Sequence, residues 1–308
     1  MTARIITLTL NPAVDLACTA PSVRPTSKIR TIEDRLDPGG GGINVARVLH
    51  ALGQETLALI ATGGVTGQLV EELLDEEGVN WRAVTLRGRT RISINVHDAA
   101  SGLEYRFVPE GPVVAPDEIA ALHAILREID AEWLIASGSL PRGVPADIYA
   151  DLARHTAERG GNFVLDASGP ALRAALGQGI ALLKLSLGEF EYLLGTKARS
   201  PEQQDAEAMD LIQAGAARMI AVSLGEDGAF LATRDGIIRR RGPAVTVRSA
   251  VGAGDAFLAG MVLGLVEAGD TGAALDFGLA TGAASVAQYG TAPVSRAQVD
   301  ALLVPEAH

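Results

Sequence analysis

The chain has 308 residues, 48% of them hydrophobic, and a formal net charge of −11 at pH 7. A chain of this length can bury a full core without disulfides or metals, and its composition is that of a folded protein rather than a disordered one. The negative balance disfavours a general attraction to nucleic acid or anionic membranes. Glycine is the unusual component, with 35 residues, or about 11% against a usual ~7%.

Short runs rich in β-branched residues alternate with amphipathic segments, which predicts a parallel sheet covered by helices on both faces. The first apolar run, Ile5 to Leu10, is too short for a signal-peptide core, so we expect a buried strand there. The predicted core strands are Arg4–Leu10, Thr56–Ala61, Glu132–Ser137, Asn162–Asp166, Ala181–Lys184 and Met219–Ser223. The predicted helices are Asn44–Leu52, Gly67–Glu77, Pro116–Ile129, Pro145–Arg159, Pro201–Ala214, Asp255–Glu267 and Thr271–Ala287.

Two segments break this alternation, at about residues 15–37 and 89–108. Both have the pattern of charged, alternating strands, and the second carries turn residues Asp98–Gly102 between two apolar runs, which is typical of a hairpin. We expect the two segments to form a small sheet, a lid, that projects from one domain spanning residues 1–308. No linker, repeat or low-complexity segment indicates a second domain.

The sequence contains one cysteine, Cys18, which cannot form an internal disulfide. A reducing compartment, the cytoplasm, is therefore expected. The longest apolar helical stretch, Ala256 to Val266, is shorter than the roughly 18 residues that a membrane span needs. No Cys/His cluster has the spacing of zinc ligands.

The strongest local motif is Gly252-Ala253-Gly254-Asp255, which follows a strand-like Val245–Arg248 and opens a long apolar helix. Gly-Ala-Gly at a helix start lets unpaired backbone N–H groups converge on an anion, with help from the helix dipole. Asp255 is either an ordinary helix cap or a general base beside this anion hole. As a base it would take a proton from an alcohol while the amides stabilise charge on a transferred phosphoryl group.

A second glycine cluster, Gly39 to Gly42, precedes the first predicted helix. It is either a flexible hinge or a loop that lets a ligand approach the backbone. Asn44 either caps that helix or holds a sugar hydroxyl through its amide. No Walker P-loop and no dinucleotide G-x-G-x-x-G occurs, so a nucleotide must be held in another way. The Ser137-Gly138-Ser139 turn follows a strand but is not a nucleophile elbow, and a hydrolase triad is not expected.

Together these segments resemble the PfkB (ribokinase-like) family of sugar kinases over essentially the whole chain, and most closely its phosphofructokinase branch. The motifs that carry the resemblance are Thr7–Asp15, Pro38–Arg47, Tyr105–Val108, Ser137–Pro141, Val222–Gly225 and Val251–Asp255. Their occurrence in the expected order makes the resemblance specific. It implies a ribokinase-like three-layer α/β/α domain with a mostly parallel central sheet and a small β-sheet lid. It also implies ATP- and magnesium-dependent phosphoryl transfer to a sugar alcohol.

The resemblance assigns a role to each motif. The base would be Asp255, and the anion hole would be Gly252, Ala253 and Gly254. The residues around the sugar hydroxyls would be Asp15, Gly40, Gly41 and Asn44. In phosphosugar kinases of the family the 6-phosphate is held by basic lid residues and the serine loop, which correspond here to Lys28, Arg30, Arg91, Arg106 and Ser139. The four basic side chains suit a phosphate dianion; the alternative is that these four are solvated charges of the lid.

For ATP, the family's K-P-N-x-x-E segment corresponds to residues 184–189, where Leu185 and Ser186 replace the proline and the asparagine. The resemblance gives Lys184 a phosphate contact and Glu189 a water-mediated magnesium role, while Ser186 keeps an oxygen but loses the amide. It places Ser223 and Gly225 near the nucleotide phosphates or ribose. Some relatives bind a monovalent cation, and the carbonyls around Ser249, Val251 and Gly290 could be ligands for potassium here. Gln288 and Ala292 differ from the phosphofructokinase branch, so potassium binding is left open.

The activity that the resemblance implies is 6-phosphofructokinase, which makes fructose 1,6-bisphosphate and ADP from fructose 6-phosphate and ATP. Tagatose-6-phosphate kinase and 1-phosphofructokinase remain alternatives, because their motifs are nearly the same. An alternative of another class is a catalytically weak nucleotide- or sugar-phosphate-binding regulator, motivated by Ser186. Exposed strand edges in the lid favour pairing, so we also expect a homodimer joined through the lids. Because of the net negative charge, we expect no nucleic-acid or membrane partner.

Overall fold

The computed structural model describes residues 2–198, 200–288 and 290–303. The strands are β1 (Thr2–Thr9), β2 (Ala13–Ala20), β3 (Ile32–Gly39), β4 (Leu57–Thr62), β5 (Trp81–Thr85), β6 (Arg91–Asp98), β7 (Leu103–Phe107), β8 (Asp130–Ser137), β9 (Asn162–Asp166), β10 (Ile180–Ser186), β11 (Met219–Ser223), β12 (Ala229–Thr233) and β13 (Gly236–Arg240). The helices are α1 (Gly41–Ala51), α2 (Gly64–Glu76), α3 (Pro116–Arg127), α4 (Ile148–Glu158), α5 (Gly169–Ala175), α6 (Leu187–Leu194), α7 (Pro201–Gln213), α8 (Ala253–Ala268), α9 (Thr271–Val286) and α10 (Arg296–Leu303).

Nine strands form a large sheet in the order β13-β12-β11-β10-β9-β8-β1-β4-β5. The strands from β11 to β5 are parallel, and β12 and β13 extend the sheet as an antiparallel hairpin. Parallel neighbours need crossover connections, which the helices supply. The mostly parallel central sheet expected from the sequence is confirmed, and the carboxyl ends of its strands meet at one edge.

The core lies on both faces of the large sheet, because successive side chains of a strand point to opposite sides. On β8, Leu134 and Ala136 pack with residues of α3 to α7. Trp133 and Ile135 pack on the other face with residues of α1, α8, α9 and α10. This gives the three layers that the resemblance implies. Over the described part of the chain, no helix has the length and apolar character of a membrane span.

A separate four-stranded sheet, called the small sheet below, has the order β3-β2-β6-β7. The predicted hairpin is confirmed, since β6 and β7 pair antiparallel and the Asp98 carboxylate accepts hydrogen bonds from the Ala100 N–H (3.1 Å) and the Ser101 hydroxyl (2.9 Å). Strand β2 begins before Asp15, and β3 continues to Gly39. The small sheet therefore leads directly into the glycine cluster.

Three local predictions are wrong. Val245–Arg248 forms no strand; residues 246–248 are exposed, and the Arg248 N–H bonds to the Val286 carbonyl at the end of α9 (2.7 Å) rather than to a neighbouring strand. Helix α4 begins at Ile148 rather than Pro145, because residues 145–147 form a turn before it. Helix α1 begins at Gly41, so two of the four clustered glycines lie in its first turn.

Candidate active site

The carboxylate of Asp255 lies where α1, α8 and the end of β8 meet. The Asn44 side-chain nitrogen donates a hydrogen bond to one carboxylate oxygen of Asp255 at 2.9 Å. The Ser137 hydroxyl lies 3.4 Å from the other oxygen. Three segments that are far apart in sequence therefore hold this carboxylate in one orientation, as a proton acceptor requires.

The electrostatic surroundings of Asp255 favour proton uptake. Burial raises the pKa of Asp255 to about 6, and the nearby charge of Asp166 adds to the rise. The hydrogen bonds of Asn44 and Ser137 and the charge of Lys184 act in the opposite direction. A carboxylate whose pKa lies closer to neutrality is a better general base at physiological pH, and such shifts are typical of functional sites.

A buried ion pair lies next to this carboxylate. The Lys184 ammonium on β10 lies 3.2 Å from a carboxylate oxygen of Asp166 at the end of β9. Burial alone would lower the pKa of Lys184, but the carboxylates of Asp166, Asp255 and Glu189 outweigh burial and raise it. Burial raises the pKa of Asp166, against the opposing charge of Lys184. The ammonium therefore stays charged in the site.

The glycines of the Gly252–Asp255 motif occupy positions that larger residues could not. Gly252 is the left-handed N-cap residue (φ 79°) of α8, and helix-starting N–H groups lack partners within the helix. A Cβ at Gly254 would lie 2.8 Å from the Lys184 ammonium nitrogen, so that cation touches the turn. A Cβ at Gly41 would overlap the Ser137 hydroxyl and lie 3.1 Å from Asp255. The anion hole stays a prediction, and the turn it needs is present.

The sugar-binding residues predicted from the resemblance lie along the junction of the small sheet and α1. The carboxylate of Asp15 touches Gly39, and Gly40 is the N-cap residue of α1. Burial raises the pKa of Asp15, while a hydrogen bond from Ser93 and the charge of Arg106 lower it. The side-chain oxygen of Asn44 is buried and has no hydrogen-bond partner among the described residues. A ligand hydroxyl that reached it would satisfy an otherwise costly acceptor.

Three of the five predicted phosphate-binding residues converge on this junction. The Arg91 guanidinium on β6 donates to the carbonyls of Asn11 and Pro109, both at 2.8 Å. The Asn11 side chain donates to the Ser139 hydroxyl at 3.1 Å. Arg106 on β7 is exposed, and its charge acts on Asp15.

The other two predicted phosphate ligands do not join this group. Lys28 and Arg30 are exposed in the connection from β2 to β3, and neither forms a hydrogen bond or ion pair with another described residue. Sequence reasoning also missed residues that support the site, namely Asn11, Asp166 and, as a contact of the base, Ser137. The available signal for Asp166 and Ser137 was a polar residue at the carboxyl end of a predicted strand.

Ser186, one of the two residues that depart from the family pattern at residues 184–189, forms the start of a helix. Ser186 caps α6: its N–H and hydroxyl both donate to one Glu189 carboxylate oxygen at 2.7 Å, and the Glu189 N–H donates back to the hydroxyl. This is a capping box, which satisfies amides at the helix start. Ser186 also pairs with Ser223 where β10 and β11 end, and Gly225 opens the next short turn. The serine therefore preserves the start of α6, and the nucleotide role of this segment stays a prediction.

An arginine lies beside one of the three residues predicted as potassium ligands. Ser249 is buried, and its hydroxyl accepts a hydrogen bond from the Val251 N–H at 3.2 Å. A Cβ at Gly290 would overlap the guanidinium of Arg35, which forms an ion pair with Asp37 (2.7 Å). A fixed positive charge therefore lies beside one of the expected carbonyl ligands.

Comparison with known proteins decides the family. The profile of the pfkB family carbohydrate kinases matches residues 8–297. The chain belongs to this family. Among its PfkB relatives, the ATP-dependent 6-phosphofructokinase isozyme 2 of Mycobacterium tuberculosis is 40% identical over 305 residues, covering 96% of this chain and 88% of that protein. The Escherichia coli protein of the same name is 37% identical over 290 residues, 94% of each chain.

The structural comparison agrees with the sequence comparison. The crystal structure of E. coli phosphofructokinase-2 in complex with potassium has a TM-score of 0.92 at 36% identity and covers 97% of this PfkB chain and 98% of that chain. More distant relatives are named 1-phosphofructokinase (Rhodobacter capsulatus, 32% over 265 residues; 85% and 84% covered) and tagatose-6-phosphate kinase (Staphylococcus epidermidis, 30% over 268 residues; 85% and 86% covered). The ribokinase-like fold and the phosphotransferase class expected from the sequence are confirmed.

Proposed function

We propose that this PfkB protein is an ATP-dependent 6-phosphofructokinase, which transfers the γ-phosphoryl group of ATP to the 1-hydroxyl of fructose 6-phosphate. The observation that carries the proposal is the convergence of Arg91, Arg106 and Ser139 near Asp15, at the sugar end of the site that contains Asp255. An uncharged sugar has no need of two guanidinium groups, whereas a phosphate dianion binds them strongly. The most similar relatives named above support the same choice.

The geometry suggests how the residues would act on a bound phosphosugar. Asn44 holds one oxygen of Asp255, and the other oxygen would accept the proton of the sugar 1-hydroxyl. The deprotonated oxygen then bonds to the γ-phosphorus while the bond from that phosphorus to the ADP oxygen breaks. The N–H groups of the Gly252–Gly254 turn and the Lys184 ammonium stabilise the negative charge on the transferred group.

The residues present fit a magnesium ion that arrives with ATP. The described part of the chain holds no cluster of three or more acidic, histidine or cysteine side chains that could bind a metal alone. Kinases usually hold Mg²⁺ through phosphates, water and one or two carboxylates. Glu189 would contribute through the oxygen that its capping bonds leave unused, with Asp166 nearby. The ion would neutralise part of the charge on the phosphates.

A substrate panel tests the proposed activity. ADP release is measured with fructose 6-phosphate, fructose 1-phosphate, tagatose 6-phosphate, ribose and adenosine, and we expect the highest kcat/KM with fructose 6-phosphate. A higher value with either other phosphosugar would support the corresponding alternative kinase. Equal rates with ribose would contradict phosphosugar specificity. Calorimetric binding of ATP and phosphosugar without turnover would instead support the regulator.

Replacing Arg106 by alanine is expected to raise KM for fructose 6-phosphate about 10-fold or more, since a charge-assisted hydrogen bond contributes about 1.5–3 kcal/mol. KM for ATP should change less than about twofold, because Arg106 lies at the sugar end. The measurement is steady-state kinetics with each substrate varied in turn. Arg159→Ala is the matched control, since Arg159 pairs with Asp130 at the opposite edge of the large sheet. Equal losses for both substrates would remove Arg106 as a phosphate ligand.

We also infer a homodimer in which two small sheets pack together. Side chains that pair across strands share a face, and the row Leu36, Leu16, Ile94 and Phe107 is apolar. Leu36 and Phe107 are 43% and 57% exposed. Asp15 and Ser93 lie on the other face, which points to the site. A tetrameric inhibited form is known for E. coli phosphofructokinase-2 (TM-score 0.91, 35% identity, 97% and 98% covered), which supports assembly through a shared surface.

Light scattering at micromolar concentration should give twice the 31.9 kDa mass of the chain. The variant Phe107→Asp is expected to give the monomer mass, because it places a charge in the apolar row. Leu103→Asp, at the end of the same strand face, should weaken the dimer less. A fully active wild-type monomer would contradict the dimer. Potassium dependence and a cytoplasmic location stay predictions.

A further inference from the structure

Arg47 on α1 is among the most deeply buried side chains of the protein, with 2% of its surface exposed. A buried guanidinium needs partners for its charge and for its five N–H groups. It is not in contact with the proposed base, but it lies one helical turn after Asn44, which holds that base. Arg47 can therefore affect the site only through the residues that it binds.

All three nitrogens of the guanidinium are engaged. Two of them bind both carboxylate oxygens of Glu77, each at 2.6 Å, at the end of α2. The third donates to the Thr291 hydroxyl at 3.0 Å and to the Pro38 carbonyl at 3.4 Å. Asp37 lies 3.6 Å from the guanidinium and adds a second negative charge. One end of Arg47 is thus anchored to α2, and the other joins two separate segments.

Those two segments lie against the two glycine turns of the site. Pro38 precedes Gly39, whose backbone touches the carboxylate of Asp15. The Thr291 methyl group lies 3.3 Å from where a Cβ would stand on Gly252, the N-cap residue of α8. A single guanidinium nitrogen therefore connects the sugar side of the site with the phosphoryl side.

We propose that Arg47 is a positioning residue that keeps the Gly39 turn and the Gly252 turn in a fixed relation through Pro38 and Thr291. The inference rests on the proposed kinase function, because that function gives the two turns their roles. An anion hole acts mainly on the transition state, so a small displacement of Gly252 lowers kcat more than it raises KM. A displacement of Gly39 changes sugar binding instead.

The competing explanation is that Arg47 only stabilises the fold through Glu77. Two conservative variants separate the explanations because they act on opposite ends of the guanidinium. Thr291→Val keeps the methyl next to Gly252 and removes the hydroxyl that Arg47 binds. Glu77→Gln removes the charge of the anchor but keeps an acceptor oxygen, and it leaves Thr291 and Pro38 unchanged.

Kinetics, thermal unfolding and amide hydrogen exchange are measured for the wild type and both variants. We expect Thr291→Val to lower kcat about 10-fold with KM for both substrates within about twofold, since misplacement by an ångström or less has effects of this size. Amides of residues 250–255 should exchange faster in this variant. Glu77→Gln should lower the unfolding temperature but keep kcat and the exchange of those amides near wild type.

Arg47→Met is expected to lower both kcat and the unfolding temperature, and to raise KM for the phosphosugar as well. If Thr291→Val keeps wild-type kcat and exchange, or if Glu77→Gln changes them as much, the positioning role is overturned. A wild type without turnover on any phosphosugar would refute the proposed function instead. Hydrogen exchange would in that case still decide whether Arg47 positions the Gly252 turn.

Discussion

Replacing Asp255 by asparagine is expected to lower kcat by about 10³-fold, within the 10²–10⁴ range of general bases. Asparagine cannot accept the proton of the sugar hydroxyl, yet it preserves the size of the side chain and can still bond to Asn44. KM for both substrates should change only a few-fold, because the lost interaction operates in the transition state. Coupled ADP release under saturating substrates measures the change.

The control for Asp255→Asn is Asp235→Asn, which removes the same charge from an exposed turn between β12 and β13. It should retain wild-type kcat and both KM values. An unchanged kcat in Asp255→Asn would remove Asp255 as the base and would favour the helix-cap interpretation. The same result would weaken the proposed kinase mechanism as a whole.

From the raised pKa of Asp255 we predict how both activity and stability change with pH. Since burial raises the pKa of Asp255 to about 6 in the protein without substrate, kcat/KM should fall as the pH is lowered through that value, because the protonated carboxyl cannot accept a proton. Ionising the buried Asp255 carboxyl costs free energy in the folded state. This group therefore lowers the free energy of unfolding progressively as the pH rises from about 4 to about 6. Asp255→Asn should therefore be at least as stable as wild type at pH 7.5, and the advantage should disappear near pH 4 in thermal unfolding.

Replacing Lys184 by methionine is expected to lower kcat about 10²-fold or more, because the ammonium touches the Gly254 turn where charge develops. The same change should reduce the free energy of unfolding by about 3–5 kcal/mol, since it leaves the Asp166 carboxylate buried without its cation. Steady-state kinetics and urea unfolding measure the two effects separately.

The double variant Lys184→Met with Asp166→Asn separates catalysis from stability. It removes both charges of the buried pair, so much of the lost unfolding free energy should return. The value of kcat should remain low, because no cation then faces the transferred phosphoryl group. Recovery of kcat in the double variant would show that Lys184 acts only by neutralising Asp166.

Local patterns in the sequence predicted most of the large sheet and its helices. The run around Trp133 alternates between two apolar layers, and the long helix after Asp255 is apolar on all sides; each property follows from residues near one another in the chain. The Gly-Ala-Gly-Asp motif could be interpreted as a phosphoryl site for the same reason, because a helix start and its first carboxylate are local features. Resemblance added the family and the substrate class.

Local patterns failed where a neighbour distant in sequence decides the conformation. Val245–Arg248 has a strand-like composition but bonds to the end of α9. Ser186 differs from the family pattern, and only the folded segment shows that it caps α6 through Glu189. Lys28 and Arg30 carry the same charge as Arg91, but their position relative to the site depends on the path of the β2–β3 connection, so their role as phosphate ligands stays a prediction.

By itself, the sequence determined the α/β layering, the hairpin of the small sheet and the identity of the residues at both glycine turns. Only the tertiary structure decided that Asn44 holds Asp255, that Asp166 pairs with Lys184 and that Arg47 connects Pro38 with Thr291. The physical reason is the separation along the chain of the residues that interact. Hydrogen-bond periodicity and helix capping depend on residues a few positions apart, whereas an ion pair or a shared carboxylate depends on which strand ends the completed sheet brings together.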